Sequence, residues 1–325
     1  MATTDIPVFE APVRKASSWT STQGFKTDMV PWRLYEKAKQ GMWDPADLDF
    51  TQDVEDWSTM TREQQAAFAS SCRGFMIGEE GVTLDIGPLL IAMADEGRTE
   101  EVMYLTTFAF EEAKHIDFFR RWFDAVDITG DELLELAVEG AKNRGIAPPD
   151  PERTTGMFES ELPRIMRKAM LERSPETILN ASITYNQWIE ACLAISGYRR
   201  FAQMFKAFPG LPGLQEGLRL VRTDEGRHIT YGTYLCRRII AAHPDLMVFA
   251  RERLQELYDD YYVNLPAPAG SDEGTALKMR DEYSRMVRTQ KERRVQILER
   301  AALLTEEEAE SDRIAEEVEA ELAEL

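Results

Sequence analysis

The chain has 325 residues and a mass of 37.1 kDa, and 43% of it is hydrophobic, enough to bury a core for one large domain or two small ones. A formal charge of −20 and a pI near 4.7 exclude a protein that tracks nucleic-acid phosphates, which needs a basic face. No apolar stretch approaches the ~18 residues of a membrane span, and residues 1–20 lack an apolar signal core, so a cytoplasmic protein without an integral membrane segment is expected.

Three widely spaced cysteines, Cys72, Cys192 and Cys236, sit in apolar helical patterns. They read as buried free thiols rather than a disulfide frame or a zinc site.

Residues 1–60 carry Pro7, Pro12, Pro31 and Pro45 with little periodicity, which suggests an arm lying over the body of the protein. Trp32, Tyr35, Trp43 and Trp57 are its candidate anchors. From residue 61 the apolar spacing becomes helical and predicts four long helices, over 62–94, 99–126, 175–208 and 214–242. Pro88 should kink the first. Shorter helices over 131–143 and 156–173 fill the connection between the second and third.

Only residues 95–98 join the first pair and only 209–213 the second, so each pair forms an antiparallel hairpin. Two short-loop hairpins with one long crossover give an all-α fold with a ferritin-like four-helix bundle core over 61–265, additional helices and an N-terminal arm. A further helix over 245–263 precedes a break from Pro266 to Ser271 and a charged helical or partly disordered tail, 266–325. In that tail Thr305 and Glu308 form a candidate capping box, and 306–324 hold ten acidic residues against one basic.

Two of the three histidines close Glu-x-x-His motifs, Glu112-Ala-Lys-His115 and Glu225-Gly-Arg-His228. Spacing of i and i+3 on a helix aims a carboxylate and an imidazole at one point. Residues equally far from a hairpin turn face each other. Glu112 lies 15 residues after Gly97, opposite Glu79 and Glu80, and Glu225 lies 15 after Gly210, with Glu190 20 before it.

All four levels fall ~20–30 Å from the loops by helical rise, in mid-bundle. Buried carboxylates need compensation, and two metal ions provide it. One Glu from each of two helices and Glu-x-x-His from each of the others is the di-metal carboxylate pattern. Oxygen-rich ligation with one nitrogen per ion suits iron or manganese better than structural zinc and does not choose between them. The competing reading is two accidental motifs on exposed helix faces.

The segments Gly78-Glu79-Glu80-Gly81-Val82-Thr83-Leu84-Asp85, Glu111-Glu112-Ala113-Lys114-His115, Tyr185-Asn186-Gln187-Trp188-Ile189-Glu190 and Asp224-Glu225-Gly226-Arg227-His228 resemble the ribonucleotide reductase small-subunit-like ligand-binding oxidases over residues 60–262. The resemblance implies a homodimer with one manganese and one iron ion (two iron ions being the alternative), dioxygen activation and a bound long-chain fatty acid or other apolar ligand. It selects Glu79 over Glu80, and implies Glu79, Glu112 and His115 as the manganese site, Glu190, Glu225 and His228 as the second, and Glu112 as the bridge.

It further implies an ether crosslink between Val82 and Tyr185, for which core packing is the alternative. Gly74, Gly78 and Gly81 line one face of the first helix at a cost of about 1 kcal/mol each, either for close packing or for space beside the metals.

Two other functions fit the same residues. A reductase radical subunit is opposed by the last tyrosine being Tyr283, leaving none for a C-terminal relay, while Phe119 four residues after His115 decides nothing. A metal or lipid binding protein without turnover is the other.

Overall fold

The computed structural model describes residues 15–144, 150, 152, 154–263 and 273–311, and every regular element among them is a helix. The first 14 residues of the arm, the break at Pro266 to Ser271 and the tail beyond Ser311 lie outside the described residues.

The first bundle helix is Arg62–Asp85. Thr61 caps it by accepting from the Gln64 amide while the Gln64 side chain accepts from the Thr61 amide. It breaks at Ile86 and resumes as Gly87–Asp95, because Pro88 has no N–H to continue the ladder. Gly97, at φ +74°, turns the chain into the second bundle helix, Thr99–Ala125.

The crossover follows as Gly130–Arg144, the wide turns Met157–Glu161 and Leu162–Glu172. Gly130–Arg144 packs along the first bundle helix. Ser174 and Thr177 then cap the third, which runs through Pro175–Ser182, an i→i+5 stretch Ile183–Ala194, and Ile195–Ala207. The fourth is Pro212–Ala242, and its middle packs on the i→i+5 stretch.

The arm is more ordered than its proline content suggests. Val30–Gln40 and Thr51–Thr59 are helices, and Met29, Val30 and Leu34 join the main core. Trp57 is buried edge-on against Trp122, whereas Trp32, Tyr35 and Trp43 are half-buried.

Asp53 does more than pack. Its carboxylate accepts from the amides of Gly213 and Leu214 and from Trp122 Nε1, at 2.7, 2.8 and 2.9 Å. The fourth bundle helix has no cap of its own at Leu211, so the arm supplies one.

Leu246–Val263 and the charged helix Glu273–Ala301 close the body. Val287, Leu298 and Ala301 belong to the main core, so that segment is packed rather than solvated. Glu306–Ser311 starts at the Thr305 and Glu308 box, each accepting from the other's amide. Among the described residues no helix is long and apolar enough to cross a membrane.

Candidate metal centre

Glu79, Glu112, His115, Glu190, Glu225 and His228 meet in mid-bundle, none more than 6% exposed. Glu80, one residue on, is exposed. Glu79, Glu112, His115 and Glu225 each offer a donor atom within 4.8 Å of the others, and so do Glu112, Glu190 and His228. Glu112 belongs to both groups. Glu225 Oε1 is nearly equidistant from the two imidazoles, 3.5 Å from His115 Nδ1 and 3.6 Å from His228 Nδ1.

Each histidine is held from behind by a carboxylate of the opposite motif. His115 Nε2 lies 3.2 Å from Asp224 Oδ2, and His228 Nε2 lies 2.9 Å from Glu111 Oε2. An Nε2–H donated outward leaves each Nδ1 lone pair facing the cluster, the tautomer a metal ligand needs.

Asp224 Oδ2 also accepts from Trp43 Nε1 at 2.8 Å and Lys114 Nζ at 2.7 Å. Nη2 of Arg227 donates to both Asp224 and Glu111, tying the two supports together. Glu190 is positioned from its own helix: Asn186 Nδ2 donates to it at 3.0 Å, and Ser182 holds Asn186 Oδ1.

The electrostatics call for a cation. Burial, and then the charges of Glu225, Glu79 and Glu190, push the Glu112 carboxyl well above its usual range. Burial and then Glu225 do the same to Glu190. Burial also raises Glu225. For Glu79 burial is outweighed by the charge and hydrogen bond of His115, which hold it down. His115 itself rises to about 10 against the effect of burial, through Glu79 and Asp224.

Glu112 Oε2, Glu190 Oε1 and His228 Nδ1 are buried without a hydrogen-bond partner, and all three face the same space. Orphaned donor atoms of this kind fit bound metal ions, which take lone pairs and offset the carboxylate charge.

The family profile described as ribonucleotide reductase, small chain, matches residues 26–264. The chain belongs to the ribonucleotide reductase small-chain family. It is similar to a solved R2-like ligand-binding oxidase from Sulfolobus acidocaldarius, at 34% identity over 92% of this chain and 99% of that one, with a TM-score of 0.74. A second, an R2-like ligand-binding oxidase with an aerobically reconstituted Mn/Fe cofactor, is 32% identical over 88% and 98% of the two chains, with a TM-score of 0.73. The family has a ferritin-like helical fold.

A cavity of about 520 Å³ opens beside the centre, with Glu79, Glu112, Glu190 and Glu225 at its floor. Gly74 and Gly78 line it, with Val82 next to the floor. The glycine row serves both purposes weighed for it. A Cβ on Gly74 meets nothing within 4 Å, whereas one on Gly81 would stand 2.7 Å from Phe158 Cδ1.

Val82 and Tyr185 are buried in one hydrophobic cluster, and Tyr185 Oη lies 3.5 Å from Glu112 Oε1. Sequence reasoning missed Glu111, Asp224, Arg227, Trp43 and Asn186. The available signal was an acidic residue directly before the glutamate of each motif, but its partner is on the other helix.

Proposed function

We propose that this protein is a dioxygen-activating di-metal carboxylate oxidase that holds a long-chain fatty acid or similar apolar molecule in the cavity beside its centre. The observation that carries the reading is that cavity, walled by Phe75, Phe158, Leu193 and Phe201 and ending on four of the converging carboxylates. An acyl chain fits along Gly74 and Gly78 with its polar end at the carboxylate floor.

Glu79, Glu112 and His115 would hold manganese and Glu190, Glu225 and His228 iron, with Glu112 between them; two iron ions are the alternative. The Mn/Fe cofactor of a similar oxidase supports the first pairing. When bound, the metal pair supplies the electrons that reduce dioxygen, and with them the power to oxidise a C–H bond.

The chain's own residues then determine where oxidation falls. Phe75, Phe158 and Phe201 make the wall apolar, and Val82, three residues after Glu79, brings aliphatic C–H bonds to the same cavity. Tyr185 stands ready to pass its phenolic proton to Glu112. Loss of one hydrogen from Val82 and one from Tyr185, two electrons and two protons in all delivered to dioxygen, joins the Tyr185 oxygen to a Val82 carbon.

The test is to load the metal-free protein with iron and manganese, expose it to air and digest it. A linked Val82–Tyr185 peptide about two mass units below the sum of its parts is expected, from the two-electron oxidation. It should vanish in Tyr185→Phe. Fewer than two metals per chain defeats the reading, and metal binding without oxygen uptake leaves a metal or lipid binding protein. Light scattering tests the homodimer that the same reading includes.

A further inference from the structure

A second group of buried polar side chains lies toward the first hairpin turn. Glu101, in the first turn of the second bundle helix, is fully buried. Two tyrosine hydroxyls converge on it: Tyr231 Oη donates to Oε2 at 3.0 Å and Tyr234 Oη to Oε1 at 3.3 Å. Arg98 and Arg238 neutralise it from 3.2 and 3.5 Å, and Arg98, a quarter exposed, also pairs with Glu310 at 2.9 Å. This end of the group reaches solvent.

Its other end reaches the metal centre. Phe108 stacks on the His228 ring at 3.7 Å between centroids. Tyr231 stands one turn after His228, its ring 6.5 Å from Phe108, and the Tyr234 ring follows at 6.1 Å. Phenylalanines would fill the same space without needing a buried carboxylate, whose desolvation is costly. Two phenols thus share one carboxylate acceptor, with ring-to-ring steps toward His228 at one end and a quarter-exposed arginine at the other, an arrangement suited to moving an electron together with a proton.

We propose that Tyr231 and Tyr234, with Glu101 as their shared proton acceptor, are a one-electron relay that lets a small reductant in solution restore the metal centre after it has been oxidised with no substrate in the cavity. The relay rests on the oxidase reading, which supplies the oxidant.

In the first step Tyr231 gives one electron past Phe108 to the oxidised centre and its phenolic proton to Glu101 Oε2, becoming a neutral phenoxyl radical. Tyr234 next gives an electron to Tyr231. Glu101 returns the first proton to Tyr231 and accepts the Tyr234 proton on Oε1. The reductant finally gives one electron to Tyr234, and Glu101 gives back its proton. Each pass moves one electron from the reductant to the centre and leaves the chain unchanged.

The experiment uses full-length protein loaded with manganese and iron, grown with ring-deuterated or ordinary tyrosine, exposed to oxygen without apolar ligand and frozen. Electron paramagnetic resonance should show a phenoxyl signal that narrows on deuteration and is removed by ascorbate. In Tyr231→Phe that signal should be lost and ascorbate reduction of the centre, followed by its absorbance, should slow. In Tyr234→Phe the signal should persist and its removal by ascorbate should slow.

Metal content and melting temperature, measured on the same samples, establish that the variants are folded and loaded. An oxidised centre whose radical signal and ascorbate rate are unchanged in both variants overturns the relay alone. A wild-type protein that binds two metals and never forms an oxidised centre overturns the oxidase reading and the relay with it.

Discussion

His228 stands between two consecutive residues of the facing helix: its Nε2 is hydrogen-bonded to Glu111 at 2.9 Å, while its Nδ1 lies 3.0 Å from Glu112 without hydrogen-bond alignment. One dipeptide thus supplies both the group behind the imidazole and a carboxylate on its inner, cluster-facing side. Asp224 and Glu225 do the same for His115, at 3.2 and 3.5 Å.

Glu111→Gln retains size and removes the charge behind His228. Supports of this kind are worth about 10- to 100-fold in metal affinity, so one of the two bound ions should be released that much more readily. Titration with a chelator, following two metals per chain, reads this directly. Equal release of both ions in the variant and wild type would show that Glu111 does not orient a ligand.

Asp53→Ala should destabilise the protein by about 2–4 kcal/mol, since it removes a carboxylate that satisfies two helix-terminal amides and an indole N–H and leaves all three buried. Asp53→Asn keeps one acceptor oxygen and should lose less. Denaturant unfolding ranks the three proteins, and an alanine variant as stable as wild type removes the arm's capping role.

The bundle was legible in the sequence because its helix ends are written locally. Thr61 with Gln64 and Ser174 with Thr177 are caps, and Gly97 takes a positive φ. Counting outward from Gly97 brought Glu79 and Glu80 opposite Glu112, and the resemblance, not the count, chose Glu79. The same count from Gly210 left Glu190 five residues adrift of Glu225. The i→i+5 stretch Ile183–Ala194 explains a small part of that, because only its last five residues, 190–194, lie between Glu190 and the turn, where wider turns use more residues per unit of axial length.

Other features lay beyond local pattern. The Asp224 pairing with His115 joins residues 109 apart, and an acidic residue beside another reads as solvated until the helices are assembled. In Glu273–Ala301 the apolar positions Val287, Ile297 and Leu298 are diluted by arginines, so its mean hydropathy hides a buried face. The arm helix Val30–Gln40 carries a short helical stripe, Val30, Leu34 and Ala38 at i, i+4 and i+8, which the surrounding prolines and its length of 11 residues masked.

Metal loading should raise the melting temperature. Ligand atoms that are orphaned or hold protons in the metal-free protein gain partners, and an ion at 100 times its Kd adds about 2.7 kcal/mol per site. Calorimetry of metal-free and loaded samples measures the difference. An unchanged transition with two ions bound would place them outside this cluster.

Gly74 separates stability from ligand binding at one position. It sits inside the helix Arg62–Asp85, and a Cβ there meets nothing within 4 Å. Gly74→Ala should therefore stabilise the helix by about 0.5–1 kcal/mol through lower backbone entropy in the unfolded chain. Gly74→Leu projects a larger side chain into the cavity, so an apolar ligand must give up the volume that leucine fills. The leucine variant should keep two metals and weaken fatty-acid retention, read by mass spectrometry of extracted lipid. If Gly74→Leu retains as much lipid as wild type, the acyl chain runs elsewhere; if it loses its metals as well, the cavity wall and the metal floor are mechanically one unit.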